Sequence, residues 1–184
     1  LLRANRIESF DTASFRLETT EGPLVEFHGA HTGAREHRPE VRVVGETGEV
    51  VWIYEQGCTL LRAGQSPLVF PVPDQLATRL LVLDHLVSRL RGEDAFIVTP
   101  ALARVHTRVI NALHAHLPIH DVAEEDRSVQ RELAGDFVRI PGLDAALERA
   151  ARDGVLLSEQ NLPWAPHTPD GADLAGLVRF DGPA

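Results

Sequence analysis

The chain has 184 residues, of which 43% are hydrophobic and 24% charged, values that are ordinary for a globular protein. Its net charge of −9 argues against a general nucleic-acid binder, because such proteins neutralise phosphates with basic side chains. No run reaches the roughly 18 apolar residues of a membrane helix, and the single cysteine, Cys58, permits no internal disulfide, which favours the cytoplasm.

The first part of the sequence predicts short β-strands joined by tight turns. Ala13, Phe15 and Leu17 alternate with polar residues, which is the period of a half-buried strand. Residues 21–23 and 45–48 predict a turn and a hairpin connection. Connections this short cannot hold a crossover, so we expect neighbouring strands to be antiparallel. The predicted strands are residues 3–10, 13–18, 24–31, 41–44, 49–54, 59–62 and 67–70.

Two helices are predicted next, over residues 74–91 and 99–115. The first begins at Asp74 as N-cap, ends before Gly92, and carries one stripe of leucines, which are Leu76, Leu80, Leu83, Leu86 and Leu90. The second begins with Thr99 and Pro100. Such a stripe is stabilising when it is buried, so the sequence predicts an α+β fold: an open, mostly antiparallel sheet with both helices packed on one face.

The remaining residues predict extended pieces at 119–123 and 137–140, a helix at 142–153, and an irregular tail from Leu162. Asp144, Glu148 and Arg152 follow one another at helical spacing and are interpreted as a solvated helix face with one weak ion pair. Nothing in the sequence marks a linker, so one domain over residues 1–184 is the simplest organisation.

Few catalytic patterns are possible in this chain. All 18 basic residues are arginine, so these residues supply no Schiff-base or phosphate-loop lysine. Neither a G-x-G-x-x-G turn nor a G-x-S-x-G elbow is present. His28, His31 and His37 suggest a cupin-like metal site, but residues 28 and 31 point to opposite faces of a strand. We therefore predict no metal ligands and keep a cupin-like metalloenzyme as an alternative.

Several segments, taken in order, resemble one enzyme family. ESFDTASFRLETTEG and LVEFHGAHT are similar to its sheet strands, VRVVGETGEVVW to its hairpin, and LDHLVSRLRGEDAFIVTPALARVHTRVINALH to its helical pair. The segment FVRIPGLDAALERAARDGVLLSEQNLPWA is similar to the helix and the ending of the same family. The chain thus resembles the C-terminal domain of the glucose–fructose oxidoreductase / inositol dehydrogenase (Gfo/Idh/MocA) family.

The resemblance implies the substrate-binding and oligomerisation domain of an NAD(P)-dependent oxidoreductase that acts on a sugar, cyclitol or related hydroxyl compound. The family's Lys-Pro motif and acid/base residues have no counterpart here, which implies that the cofactor domain and catalytic helix precede Leu1 in a longer parent. We expect no catalytic or cofactor-binding residues in this chain, NAD or NADP in the parent, and a homo-oligomer through the sheet. The alternative is a non-catalytic ligand-binding or structural domain of the same fold.

His31 and Arg35 are the predicted substrate contacts. In the resemblance, the histidine that ends the second strand of the pair lies near the catalytic cleft. A neutral imidazole can both donate to and accept from a hydroxyl group, and the polar loop with Gly33 and Arg35 follows directly. The other interpretation of His31 is a surface histidine bonded to the backbone.

Overall fold

The computed structural model describes residues 1–72, 74–133, 135–168 and 171. The chain has an α+β fold that divides into two compact units, one formed by Leu1–Glu36 with Ala103–Ala184 and one by His37–Leu102. The prediction that residues 1–184 are one domain of a longer protein stays a prediction. None of the helices in the described part of the chain is both long and apolar enough to cross a bilayer.

The elements follow the chain in this order. The strands are β1 (Leu2–Arg3), β2 (Thr12–Glu18), β3 (Leu24–Ala30), β4 (Glu40–Gly45), β5 (Gly48–Ile53), β6 (Gly57–Leu61), β7 (Leu68–Phe70), β8 (His120–Asp121), β9 (Ser128–Glu132) and β10 (Gly135–Arg139). The α-helices are α1 (Gln75–Leu90), α2 (Pro100–His116) and α3 (Leu143–Asp153). Short 3₁₀ turns lie at Glu124–Asp126 and Leu157–Glu159.

The first unit is built on a sheet with the strand order β3-β2-β1-β8. β2 pairs antiparallel with both β1 and β3, whereas β8 pairs parallel with β1. One face of β2 carries Ala13 and Phe15, which pack against Leu113 of α2. The other face meets α3 and the turn at Leu157–Glu159, where Leu143 and Leu157 enter the main core with Trp164. Helical structure therefore covers both faces of β2, while Val25 and Phe27 of β3 stay exposed on the α2 side.

The second unit contains an antiparallel meander with the strand order β4-β5-β6-β7. Gly45 pairs with Gly48, so the β4–β5 hairpin closes at the predicted position. Gly57 has a φ of +122° and lies against the carbonyl of Phe70, where a Cβ atom would be 2.6 Å from the oxygen. Backbone conformation and space both require glycine at this start of β6.

Three details of the predicted layer are wrong. Within the described residues the strands form three sheets and not one, because β4–β7 pair only among themselves and β9 pairs only with β10. The predicted strand 3–10 shrinks to β1, after which residues 4–10 form a turn held by Asp11. The α2 helix packs on a sheet face as predicted, but no residue of α1 is buried.

Candidate functional site

The two predicted substrate contacts lie in the loop that follows β3. His31 is exposed, its backbone N–H donates to the carbonyl of Asp11 at 2.9 Å, and it lines neither of the two cavities described below. Arg35 is bound to α3, because its guanidinium donates to Glu148 at 2.6 Å. The structure places both residues on the first unit, and their role as substrate contacts stays a prediction.

Glu148 and Arg152 lie on an exposed helix face as predicted, but Asp144 and Glu148 also bind the loop after β3. The Asp144 carboxylate accepts hydrogen bonds from the backbone N–H groups of Ala34 at 2.9 Å and Arg35 at 3.3 Å, and Glu148 holds the Arg35 side chain. Arg152 pairs with Asp153 instead. These partners are more than 100 residues apart in sequence, so helical spacing carried no signal for them. The loop after β3 is therefore fastened to the start of α3.

A cavity of about 330 Å³ lies in the first unit, along the edge of β2. β1 pairs with β2 only at Thr12, so no described strand covers residues 14–17 on that side. Its apolar lining comes from Leu1, Leu2, Phe15, Leu17, Val109, Ala112, Leu113, Leu117, Leu156, Leu157, Ala165, Pro166 and Gly171. Its polar lining comes from Ser14, Arg16, His120, Ser158, Glu159, His167 and Thr168. The volume is at the lower end for small-molecule sites, which run from about 300 to 1,000 Å³.

Arg16 is fixed in the cavity wall by three partners. Its Nε donates to Glu26 at 2.9 Å, one terminal nitrogen donates to Glu159 at 3.2 Å, and the other donates to the carbonyl of Gly154 at 3.0 Å. The hydrogen bonds to Glu26 and Glu159 raise the pKa of Arg16. The N–H of Leu156 and then Arg16 lower the pKa of Glu159. Because this guanidinium is already neutralised, the wall does not offer a free cation to an anionic ligand.

A second polar group joins β2 to β3 behind the wall. Ser14 Oγ accepts from the N–H of Leu157 at 3.0 Å and shares a 3.0 Å hydrogen bond with Nδ1 of His28. The opposite ring nitrogen of His28 is buried without a partner among the described atoms. Burial lowers the pKa of His28, so the ring is neutral at physiological pH. The burial of His28 depends on α3 and the Leu157–Glu159 turn, which come much later in the chain.

Three side chains at the cavity have polar atoms that could form hydrogen bonds with a ligand. Ser158 makes no side-chain hydrogen bond to another described residue. Thr168 Oγ1 and His120 Nε2 are 3.5 Å apart, which is the long limit of a hydrogen bond. A hydroxyl group and an imidazole can each donate and accept, as a polyol does. The cavity therefore combines an apolar floor with groups suited to a neutral hydroxyl compound.

The second cavity, of about 470 Å³, is a more charged and more open site near the turn after β1. The Arg3 guanidinium binds both carboxylate oxygens of Asp121, at 2.6 and 3.0 Å, and lowers the pKa of that carboxyl group. Arg127 donates to the carbonyl of Ala4 at 2.6 Å and to Glu124 at 3.3 Å. Arg3 and Arg127 are already paired with groups of the protein and are not free to bind a ligand. The cavity at β2 is therefore the better ligand site.

The described residues do not fit a dinucleotide. Such a site needs free backbone N–H groups at a helix N-terminus that follows a strand. The β7–α1 and β10–α3 connections have that order, but the carboxylate of Asp74 caps α1 and that of Asp144 lies in the first turn of α3, so both helix ends repel a pyrophosphate. No group of three or more His, Cys, Asp or Glu side chains among these residues is arranged to hold a metal ion, so nothing here favours the cupin-like alternative.

The second unit has a continuous apolar sheet face. The cross-strand registers place its residues on one side of β4–β7: Val41, Val43, Val50, Trp52, Cys58, Leu60, Leu68 and Phe70. Val43 is 59% exposed, Leu68 53% and Phe70 48%. Uncovered apolar surface of this extent is typical of a contact surface.

Comparison of the chain with protein-family models, with curated proteins and with solved structures finds no match.

Proposed function

We propose that this chain is the substrate-binding and oligomerisation domain of an NAD(P)-dependent oxidoreductase that acts on a sugar, cyclitol or related hydroxyl compound. The observation that carries the proposal is the cavity at the edge of β2, where an apolar floor meets Ser158, Thr168 and His120. The sequence resemblance supports the reaction class. The apolar face of β4–β7 supports a homo-oligomer. The free Cys58 supports a cytoplasmic location.

The chain's own residues would bind and orient the substrate. Hydroxyl groups of a polyol would exchange hydrogen bonds with Ser158, Thr168 and His120, while its C–H face would lie against Phe15 and Leu113. NAD or NADP supplies the hydride acceptor in the parent. Because the described residues do not fit that cofactor, it would be held by another domain.

Turnover by a longer parent protein tests the reaction class. We expect NAD(P)-dependent oxidation of at least one member of a cyclitol and sugar panel, with the isolated chain binding neither cofactor at micromolar concentration. Absence of turnover across the panel, or micromolar binding of NAD(P) by the isolated chain in calorimetry, would contradict the proposal.

Substitutions in the cavity test the binding surface. We expect Ser158→Ala and Thr168→Val each to weaken the affinity of the isolated chain for its best ligand about fivefold, the effect of one hydrogen bond worth about 1 kcal/mol. Ser66→Ala is the matched control, because Ser66 is exposed in the second unit and lines neither cavity. Equal affinities in all three variants would mean that the ligand binds outside this cavity.

The loop after β3 gives an independent test of the predicted contacts. If His31 contacts the substrate, His31→Ala in the parent lowers kcat/KM. The loss corresponds to about 1–3 kcal/mol of transition-state stabilisation, the cost of one unmatched polar contact in a closed site. His37→Ala serves as the control for loss of an exposed histidine six residues later in the chain. Unchanged kinetics in His31→Ala would remove His31 from the substrate site.

A further inference from the structure

Helix α1 carries a heptad seam of exposed apolar residues that no other part of the second unit buries. The α1 seam consists of Leu76, Leu80, Leu83, Val87 and Leu90, whose successive spacings are four, three, four and three residues. Between 42% and 80% of the surface of each residue is exposed. This spacing is the a/d pattern of a coiled coil, with Leu80 and Val87 at a and the other three at d.

The opposite side of α1 is the side by which the helix is attached. Successive residues of an α-helix are about 100° apart, which places His85 directly opposite the centre of the α1 seam. His85 is half-buried, and its Nδ1 lies 2.8 Å from the carbonyl oxygen of Phe96, in the connector that follows the helix. The α1 seam therefore points away from the part of the unit to which the helix is tethered.

The charges that flank the α1 seam identify its partner. In heptad notation, Arg79 occupies position g and Asp84 occupies position e, five residues later. In a parallel two-stranded coiled coil, a g residue faces the e residue of the next heptad on the other helix, so Arg79 would face Asp84 of a second copy, twice by symmetry. An antiparallel pair that overlaps the two seams fully would set Arg79 against Leu86, the other g residue, and would form no such ion pair. Neither residue makes a side-chain hydrogen bond or ion pair within the described chain.

We infer that α1 pairs with α1 of a second copy of this chain as a parallel two-stranded coiled coil through the α1 seam. The inference deepens the proposed function, since it rests on the homo-oligomer proposed there and adds a second contact to the one at the sheet face. Two heptads are short for a coiled coil, so this contact alone gives a weak, concentration-dependent dimer.

Cysteine cross-linking tests the register and the direction of the pair. In a Cys58→Ser background, Leu90→Cys should form an intermolecular disulfide on mild oxidation, because a parallel pair brings the two d positions together. Leu81→Cys is the matched control on the same helix, since position b lies outside the seam. Equal cross-linking of both variants, or none for Leu90→Cys, would overturn the inference.

A charge swap measured by sedimentation equilibrium provides the second test. Arg79→Glu and Asp84→Arg should each weaken dimerisation about tenfold, because each places like charges in register, and the double variant should recover it. If the two single variants and the double variant all dimerise as the wild type does, the α1 contact is wrong. The proposed homo-oligomer would then form through the sheet face alone. A wild-type chain that stays monomeric at every concentration would overturn both the α1 contact and the proposed homo-oligomer.

Discussion

Asp11 holds the turn between β1 and β2, and its replacement by alanine should destabilise the first unit strongly. Asp11 is 5% exposed, and its carboxylate accepts from the backbone N–H groups of Ala4 at 3.0 Å and Asn5 at 2.8 Å. It also accepts from the side-chain amide of Asn5 at 2.8 Å. Ala4 is itself part of the main core. Asp11→Ala therefore leaves at least one buried donor without an acceptor.

The expected loss follows from those contacts. A buried donor left unsatisfied costs about 1–3 kcal/mol, and the half-buried Asn5 donors are partly rescued by water. We expect Asp11→Ala to lower the free energy of unfolding by about 2–4 kcal/mol, a large part of a typical stability of about 5–15 kcal/mol. Asp11→Asn retains one acceptor oxygen and should lose about half as much.

Urea unfolding followed by tryptophan fluorescence measures this loss in the first unit alone. Trp164 belongs to the same core cluster as Ala4, and Trp52→Phe removes the signal of the second unit. Glu8→Ala is the control, because Glu8 is an exposed acidic residue in the same turn. If Asp11→Ala and Glu8→Ala unfold at the same urea concentration with the same slope, the turn is not held by Asp11.

Two further outcomes test other parts of the structure. Burial lowers the pKa of His28 in the folded chain, so the unfolded chain binds its proton more tightly and stability should fall as pH drops below about 6.5. Unfolding titrations should show a smaller fall between pH 7 and pH 5 in His28→Gln, and an identical fall would contradict the burial of this ring. Gly57→Ala should lower the stability of the second unit by about 1–3 kcal/mol, because a Cβ atom collides with the carbonyl of Phe70 and φ is positive. Trp52 fluorescence during urea unfolding reports this loss, and wild-type stability in Gly57→Ala would mean that β6 does not begin at this residue.

Local signals in the sequence predicted the helices closely. Asp74 accepts from the N–H of Ala77 as the predicted N-cap, and Gly92 has the positive φ expected after α1. α3 likewise ends at Gly154 in the left-handed conformation. These features depend on residues at most a few positions apart, which a sequence displays directly.

Contacts between distant residues account for the errors. Asp144 binds a loop 110 residues away, and helical spacing contains no information about that partner. Arg16 looked like the solvent side of an alternating strand, yet α3 and the turn after it cover that face and turn the residue into a cavity wall. The leucine stripe of α1 was predicted correctly as a stripe, but periodicity does not say whether a sheet or another chain covers it.

The most direct test of the central claim is a map of where a hydroxyl ligand binds. The ¹H–¹⁵N spectrum of the isolated chain should be recorded during titration with the best ligand from the cyclitol and sugar panel. We expect shifts concentrated at four residues around the cavity, which are Ser14, His120, Ser158 and Thr168. Shifts confined to the loop after β3, or a spectrum unchanged by every compound, would contradict the assignment of this cavity as the substrate site.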